Sequence, residues 1–324
     1  MAASTGDIAP FSVEGKTAIV TGAGSGINLS FASLLLSRKC NVVVADLALR
    51  PEAEQLIAKY EAADSSPRAV FIRTDVTSWA DLNRMFDLTL SLFEEFHILC
   101  PGAGVYEPPW SNFWQPPGSA VSKDKDDGDR YALLDINVTH PIRTTQLALS
   151  HWLHPTTPNV APVSPQNPRR VIHISSVAAQ LPNVVCPMYG ASKAAITGFV
   201  RCLAPLERAI GVRVNAVAPG LIRTPLWVEN QEKLMLVDQE KDGWATPEEV
   251  ASAMLRCMED QDLEGGTILE IVRNSTRRVE TLNDPGPARE AGDASIASKN
   301  QQGVDQLLGY LQQKDIWGPQ QRST

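Results

Sequence analysis

The chain has 324 residues, 43% hydrophobic and 20% charged, which is enough to bury a large α/β core and too apolar for a disordered chain. A formal net charge of -8, with no long Lys/Arg block to track phosphates, argues against a nucleic acid partner. No apolar run approaches the roughly 20 residues of a membrane span, the N-terminus lacks a basic-then-apolar leader, and Cys40, Cys100, Cys186, Cys202 and Cys257 form no CxxC pair, so a cytoplasmic location is expected.

In chain order, the apolar run 17–21 (TAIVT) ends at GAGSG, and a helical pattern of Leu29, Ala32, Leu35 and Leu36 begins near Asn28. CNVVVAD is a nearly continuous β-branched run stopping at Asp46, the signature of a parallel strand covered on both faces. A helix over Glu52 to Tyr60, the strand AVFIRTDV, a helix near Trp79–Phe93 and HILCPGAG as a fourth strand and turn follow. The spacing then predicts one long helix over about 131–153, a strand in RRVIHISS at 169–176, a helix carrying Tyr189 and Lys193, a strand in GVRVNAVAPG and a seventh in GGTILEIV. Strands alternating with crossover helices predict a Rossmann-type doubly wound α/β fold, a predominantly parallel seven-stranded sheet with helices on both faces.

Three segments depart from this alternation. Residues 110–129 are polar and proline-bearing, a surface insertion or part of a substrate rim, and 154–168 holds five prolines and reads as a surface loop. The single catalytic domain is thus expected over 1–280, with 281–324 an extension whose VDQLLGYLQQ is a short amphipathic helix. It can dock over the site, meet another subunit or stay loosely held.

The small residues Gly22, Gly24, Ser25, Gly26 and Ile27, after a strand and opening a helix, let the backbone turn tightly and offer amides and a helix dipole to a pyrophosphate. Asp46, at the end of the second strand and followed by Leu47, can accept two adenosine-ribose hydroxyls, which favours NAD; Arg50 nearby keeps NADP as the runner-up. Asp75 and Val76 can hold the adenine edge, although Asp is equally suited to capping the next helix. Pro101, Gly102 and Ala103, with Gly104, end the fourth strand with little bulk, allowing a ribose to pass closely.

Tyr189 and Lys193 stand four apart on one helix face, where a lysine cation stabilises phenolate and lowers the tyrosine pKa from its reference near 10. Ser176, just past the fifth strand, can bond the same substrate oxygen, and Asn137 in the long helix can hold water against the lysine. The five histidines form no compact ligand pattern, so no metal is expected.

TGAGSGI, PGAG and YGASK together resemble the glycine motif, the NNAG turn and the Tyr-x-x-x-Lys motif of the short-chain dehydrogenase/reductase family, over roughly residues 13–276. FASLLLSRKCNVVVADL, GVRVNAVAPGLIRTPL and MEDQDLEGGTILEI are similar to its NAD-dependent 15-hydroxyprostaglandin dehydrogenase group. The resemblance implies catalytic roles for Asn137, Ser176, Tyr189 and Lys193, nicotinamide contacts from Tyr189, Lys193, Pro219, Gly220, Ile222 and Thr224, and a homodimer or homotetramer built on helices around 131–153 and 187–209. Two positions depart from the family's pattern: Asn28 stands for the last glycine of its TGxxxGIG, adding bulk where helix and cofactor approach, and Pro101 stands for the first Asn of NNAG.

The expected substrate is a medium-sized, partly apolar alcohol or carbonyl compound, with Leu181, Pro182, Val184, Met188, Leu226, Trp227 and Trp244 as pocket walls or, alternatively, core. The expected activity is NAD-dependent hydride transfer from a secondary alcohol. The alternatives are NADPH-dependent reduction of a ketone or imine and, motivated by Asn28 and Pro101, a cofactor-binding scaffold with weak chemistry.

Overall fold

The computed structural model describes residues 8–62, 64, 66–181, 183–229, 234, 237–238, 242–281, 305, 308–309 and 311–314. Eight strands form one sheet: β1 (Thr17–Thr21), β2 (Asn41–Asp46), β3 (Ala69–Arg73), β4 (Ile98–Cys100), β5 (Arg169–Ile174), β6 (Val212–Pro219), β7 (Ile268–Val272) and β8 (Ser275–Arg278). Their spatial order is β3-β2-β1-β4-β5-β6-β7-β8. All neighbouring pairs are parallel except β7 and β8.

Strand alternation splits the core into two layers. Val42 and Val44 of β2 pack on one face with Phe31, Leu35 and Leu36 of α1 (Gly26–Ser37), while Val43 and Ala45 pack on the other with Leu82, Met85 and Phe86 of the later helix spanning Trp79–Phe93. A strand buried on both faces tolerates a continuous β-branched run, which is why NVVVAD shows no polar alternation. α2 (Pro51–Ala58) and α3 (Trp79–Phe93) complete the first half of the chain. The chain reverses its direction of winding between β1 and β4, so a crevice opens at the carboxyl ends of those strands, where ligands of open α/β sheets bind.

The helix expected over 131–153 is broken. α4 (Ala132–Leu134) runs into a π-helical turn at Asp135–Thr139 before α5 (His140–Leu153). Pro141 lies four residues after Asn137; it has no N–H for the Asn137 carbonyl and its ring would strike that oxygen in a regular helix. The bulge relieves the clash, and His140 N bonds back to the Asp135 carbonyl instead.

α6 (Pro187–Cys202) and α7 (Leu206–Ile210) precede β6, and α8 (Pro225–Val228) and α9 (Pro247–Glu259) follow it, the last opened by a capping box between Thr246 and Glu249. The expected seven-stranded sheet gains an eighth, antiparallel edge strand, β8, all of whose residues are exposed and whose Arg277 pairs with Glu270 of β7. A charged edge strand resists further pairing and reads in sequence as a loop.

In the C-terminal segment, Leu311 is buried with Leu308 beside it in the layer that holds α3 and α5, and the Leu311 carbonyl bonds to His154 Nε2. Its described residues dock there and do not line the crevice. No helix among the described residues is long and apolar enough to cross a membrane.

Candidate functional site

The crevice is a cavity of about 580 Å³. At one end Gly22, Ser25, Gly26 and Ile27 line it beside Asp46, Leu47, Asp75 and Val76. Ser25, the N-cap of α1, makes no side-chain cap bond, so the first amides of that helix are not occupied by its hydroxyl. Gly24 is not a wall residue; its N–H donates to Asp46 Oδ2 at 2.8 Å, and a Cβ there would stand 2.3 Å from the Ala48 carbonyl oxygen. Gly22 has φ +71°, and a Cβ on it would come within 2.7 Å of Ala103 Cα, so the glycine turn and the β4 turn are packed backbone to backbone.

Asp46 Oδ1 accepts from its neighbour Leu47 N, so with Gly24 each carboxylate oxygen is held by one backbone amide. Asp75 does not cap α3, a task done by Ser78; its Oδ1 accepts from Thr77 N and Thr77 Oγ1 in a local turn.

Asn28 and Gly102 explain each other. Asn28 is 8% exposed and donates from Nδ2 to the Gly102 carbonyl at 2.9 Å. A Cβ on Gly102 would lie 2.3 Å from Asn28 Oδ1. The amide missing from the β4 turn is therefore supplied from α1, into space that only glycine at 102 leaves open. Pro101 is buried beneath this turn and is not a wall residue.

At the other end Ser176, Tyr189 and Lys193 converge, together with Ala103, Pro219, Gly220, Ile222 and Thr224. Tyr189 and Lys193 project from α6, and Lys193 Nζ lies 5.5 Å from the Tyr189 ring centre. Lys193 Nζ donates to the Ile174 carbonyl at 2.8 Å. Burial pushes the Tyr189 phenol up to about 12, opposed by a hydrogen bond with Ser176, and burial pulls the Lys193 ammonium down to about 8. The expected lowering of the tyrosine pKa by the lysine is not found: desolvation sets the direction, and the opposing influence comes from Ser176. Ser176 itself accepts from Ala178 N at 3.2 Å and donates weakly to the Pro219 carbonyl at 3.4 Å.

Asn137 sits in the π turn, behind the cavity wall. Its Oδ1 accepts from Val105 N and its Nδ2 donates to the Val105 carbonyl, both at 2.9 Å, with a further bond to Ser192 Oγ at 3.2 Å. The side chain is thus committed to protein, and the Asn137 carbonyl is the group that Pro141 deprives of an i+4 donor. A Cβ on Gly104 would lie 3.3 Å from Asn137 Oδ1 and 3.7 Å from Lys193 Nζ, so that glycine separates the two.

Three supporting groups escape motif reading. Glu107 Oε2 accepts from Tyr189 N at 2.8 Å and its Oε1 from Phe113 N at 3.2 Å, capping α6 from a loop eighty-two residues earlier. His140 bridges Thr21 Oγ1 and the Ile136 carbonyl, each at 3.1 Å, and Thr21 Oγ1 accepts from Ala103 N at 3.2 Å. His140 therefore ties the π turn to both cofactor-side turns, with Nδ1–H on Ile136 and Nε2 accepting from Thr21; burial lowers its pKa to about 4. The 110–129 insertion caps α4: Leu133 N donates to Ser111 Oγ and Ala132 N to Asp124 Oδ1, and Ser111 Oγ donates to Asp124 Oδ2 at 2.7 Å. Only the sequence distance hides these roles, since Glu, His and Ser-Asp are ordinary capping chemistries.

Of the expected pocket walls, Leu181, Leu226 and Trp227 line the cavity. Val184 is 72% exposed, Met188 is buried within α6, Trp244 stacks edge-on behind Trp227 with ring centres 5.9 Å apart, and Pro182 lies outside the described residues. Tyr106 is an added wall, its ring 4.6 Å from that of Tyr189 and 5.1 Å from that of Trp227.

A family model described as short chain dehydrogenase matches residues 16–234. The cis-4-hydroxycyclohexanecarboxylate dehydrogenase of Sinomonas cyclohexanicum is 29% identical over 242 residues, covering 74% of this chain and 87% of that protein. The 15-hydroxyprostaglandin dehydrogenase, NAD(+), of Rattus norvegicus is 29% identical over 270 residues, covering 78% and 90%. At equal identity the two do not single out the prostaglandin group. The crystal structure of a 3-ketoacyl-(acyl-carrier-protein) reductase from Brucella melitensis complexed with NADH superposes with a TM-score of 0.63 at 21% identity, over 81% of this chain and 99% of that one, a likeness of fold.

Proposed function

Because the chain belongs to the short-chain dehydrogenase family and is an NAD(P)-dependent oxidoreductase, we propose that it is NAD-linked and oxidises a secondary alcohol of a compact apolar molecule. The convergence of Ser176, Tyr189 and Lys193 on a cavity whose far end is closed by Asp46 carries the reading. The residues fit a dinucleotide: glycines keep the turns close, uncapped α1 amides suit a pyrophosphate, and Asp46 suits a ribose diol. Nicotinamide, when bound, supplies the hydride acceptor or donor.

In this reading Ser176 holds the substrate oxygen and Tyr189 exchanges its proton with that oxygen. Lys193 bonds the nicotinamide ribose and stabilises the phenolate that oxidation requires, and Asn137 fixes the π turn so that its backbone carbonyl can serve a water relay. Asp75, Val76, Gly102 and Ala103 flank the adenosine and ribose, and Pro219, Gly220, Ile222 and Thr224 border the nicotinamide. The domain is 1–280 with 281–324 an extension, and α5 and α6 form the subunit interface of a homodimer or homotetramer.

Among the described wall residues the only charged side chains are Asp46, Asp75 and Lys193, while Tyr106, Leu181, Leu226 and Trp227 border the reacting end. That composition supports an uncharged cyclic or aromatic alcohol over a carboxylate-bearing one such as the hydroxycyclohexanecarboxylate named for the Sinomonas relative. Carbonyl reduction is the second reading, supported by the burial that keeps the Tyr189 phenol protonated and ready to donate.

Paired titration with NADH and NADPH, read by nicotinamide fluorescence, tests the cofactor. Tighter NADH binding supports the reading; tighter NADPH binding overturns it and moves carbonyl reduction to first place. Tyr189→Phe is expected to keep NADH affinity within about threefold while turnover falls by about 10² or more, as loss of a positioned general acid-base does. Unchanged turnover would sink the mechanism.

A further inference from the structure

Arg50 is a basic residue close to the Asp46 end of the crevice, and it is already engaged. Its backbone N–H bonds to the Gly24 carbonyl at 3.3 Å, and the Gly24 N–H in turn bonds to Asp46 Oδ2, so one glycine fixes both residues beside the ribose position. The Arg50 guanidinium is turned to Glu229, which caps the C-terminal end of α8: Nη1 bonds to Oε1 at 2.6 Å and Nη2 to Oε2 at 2.5 Å. The pair joins positions 179 apart in sequence. This end-on pairing uses both carboxylate oxygens and one N–H of each terminal nitrogen, leaving Nε–H and the outer N–H of each terminal nitrogen beyond the carboxylate's reach. Glu52, in the first turn of α2, adds a further negative charge near Arg50.

We propose that Glu229 is a cofactor-specificity residue, which holds Arg50 in a bidentate pair and so withholds it from the 2′-phosphate of a phosphorylated dinucleotide. The inference rests on the assignment of the Asp46 end to the adenosine ribose. Asp46 repels the phosphate directly; Glu229 acts through Arg50 by occupying a guanidinium that would offset that repulsion. The Glu229 carboxylate neutralises the guanidinium and fixes its orientation toward α8, so removing it frees Arg50 to turn to a phosphorylated ligand without altering the diol-binding Asp46.

The test is NADH and NADPH titration of the full chain and of Glu229→Gln, Arg50→Ala and the double variant. Both side chains are partly exposed, which leaves folding intact in each variant. The expected result is a shift of the NADPH-to-NADH Kd ratio toward NADPH by roughly tenfold in Glu229→Gln, the size of one charge-assisted contact at a partly exposed site, and its abolition in the double variant. A ratio unchanged in Glu229→Gln, or a shift that persists without Arg50, overturns the proposal. The reading of the Asp46 end fails separately, through a wild-type preference for NADPH, because the proposal concerns the change in the ratio and not its starting value.

Discussion

Asn28 and Gly102 should behave as one unit in a double-mutant cycle. Gly102 does not occupy the left-handed region, so Gly102→Ala introduces no backbone strain of its own and acts only through its new Cβ. That carbon would stand 2.3 Å from Asn28 Oδ1 and 2.6 Å from Cγ and Nδ2, and Gly22 bounds the amide on its other side. Asn28 must then rotate out, losing a buried hydrogen bond and leaving polar groups unpaired, a cost of about 2–3 kcal/mol. Asn28→Gly alone costs about 1–2 kcal/mol, nearly all from the same bond, because exchanging one poor helix former for another adds only about 0.3 kcal/mol. In the double variant the clash has no partner, so its total should approach that of Asn28→Gly alone, giving a coupling equal to the Gly102→Ala cost, about 2–3 kcal/mol. Urea unfolding monitored by tryptophan fluorescence measures all four corners, and NADH affinity measured in parallel should follow the same pattern. Additivity within about 0.5 kcal/mol would refute the idea that these two positions share one space.

Glu107→Ala should leave Tyr189 N and Phe113 N without acceptors, costing about 2 kcal/mol and lowering kcat about tenfold with little change in NADH affinity, whereas Glu107→Gln, which keeps an acceptor oxygen, should recover most of the activity. Steady-state kinetics on the three proteins decides it. His140 and His173 are buried and held neutral, with pKa values pulled to about 4 and about 3 by desolvation, below the 6.5 of an unfolded histidine. Between pH 6.5 and about 4 the unfolded chain therefore binds more protons, and stability falls as pH falls through that window, by about 3 kcal/mol for His140 alone. Denaturation at pH 7.5 and 5 should show a loss that shrinks in His140→Gln; equal losses in both proteins would contradict it.

The order of strands and helices was readable because each buried strand is a short β-branched run and each crossover helix keeps its 3.6-residue period. The break at Asn137 was also written in the sequence, since Pro141 lies four residues on, yet apolar periodicity through 131–153 masks it. α9 carries its own signal in the Thr246 to Glu249 capping box. β8 has none: four polar residues form a strand only because β7 offers an edge and Glu270 meets Arg277. Within the site, Ser176, Tyr189 and Lys193 were legible as a motif, but Glu107, His140 and Tyr106 were not. Their partners lie far along the chain, and no local period reports a contact that the sheet's winding creates. Asn28 shows the limit most plainly, since a side chain that reads as an obstruction to the cofactor becomes a bracing group once Gly102 is seen opposite it.

The 110–129 segment closes one more circuit. Because Ser111 and Asp124 receive the first amides of α4 while Trp114 Nε1 bonds to the Val184 carbonyl, next to the wall residue Asn183, this segment ties the chain beside the cavity to the footing of the Asn137 turn. A chimera that exchanges this segment with a relative's in order to alter selectivity would also exchange the footing of the helix beneath it. A graft that spares Ser111 and Asp124 is therefore the one that leaves the Asn137 turn standing.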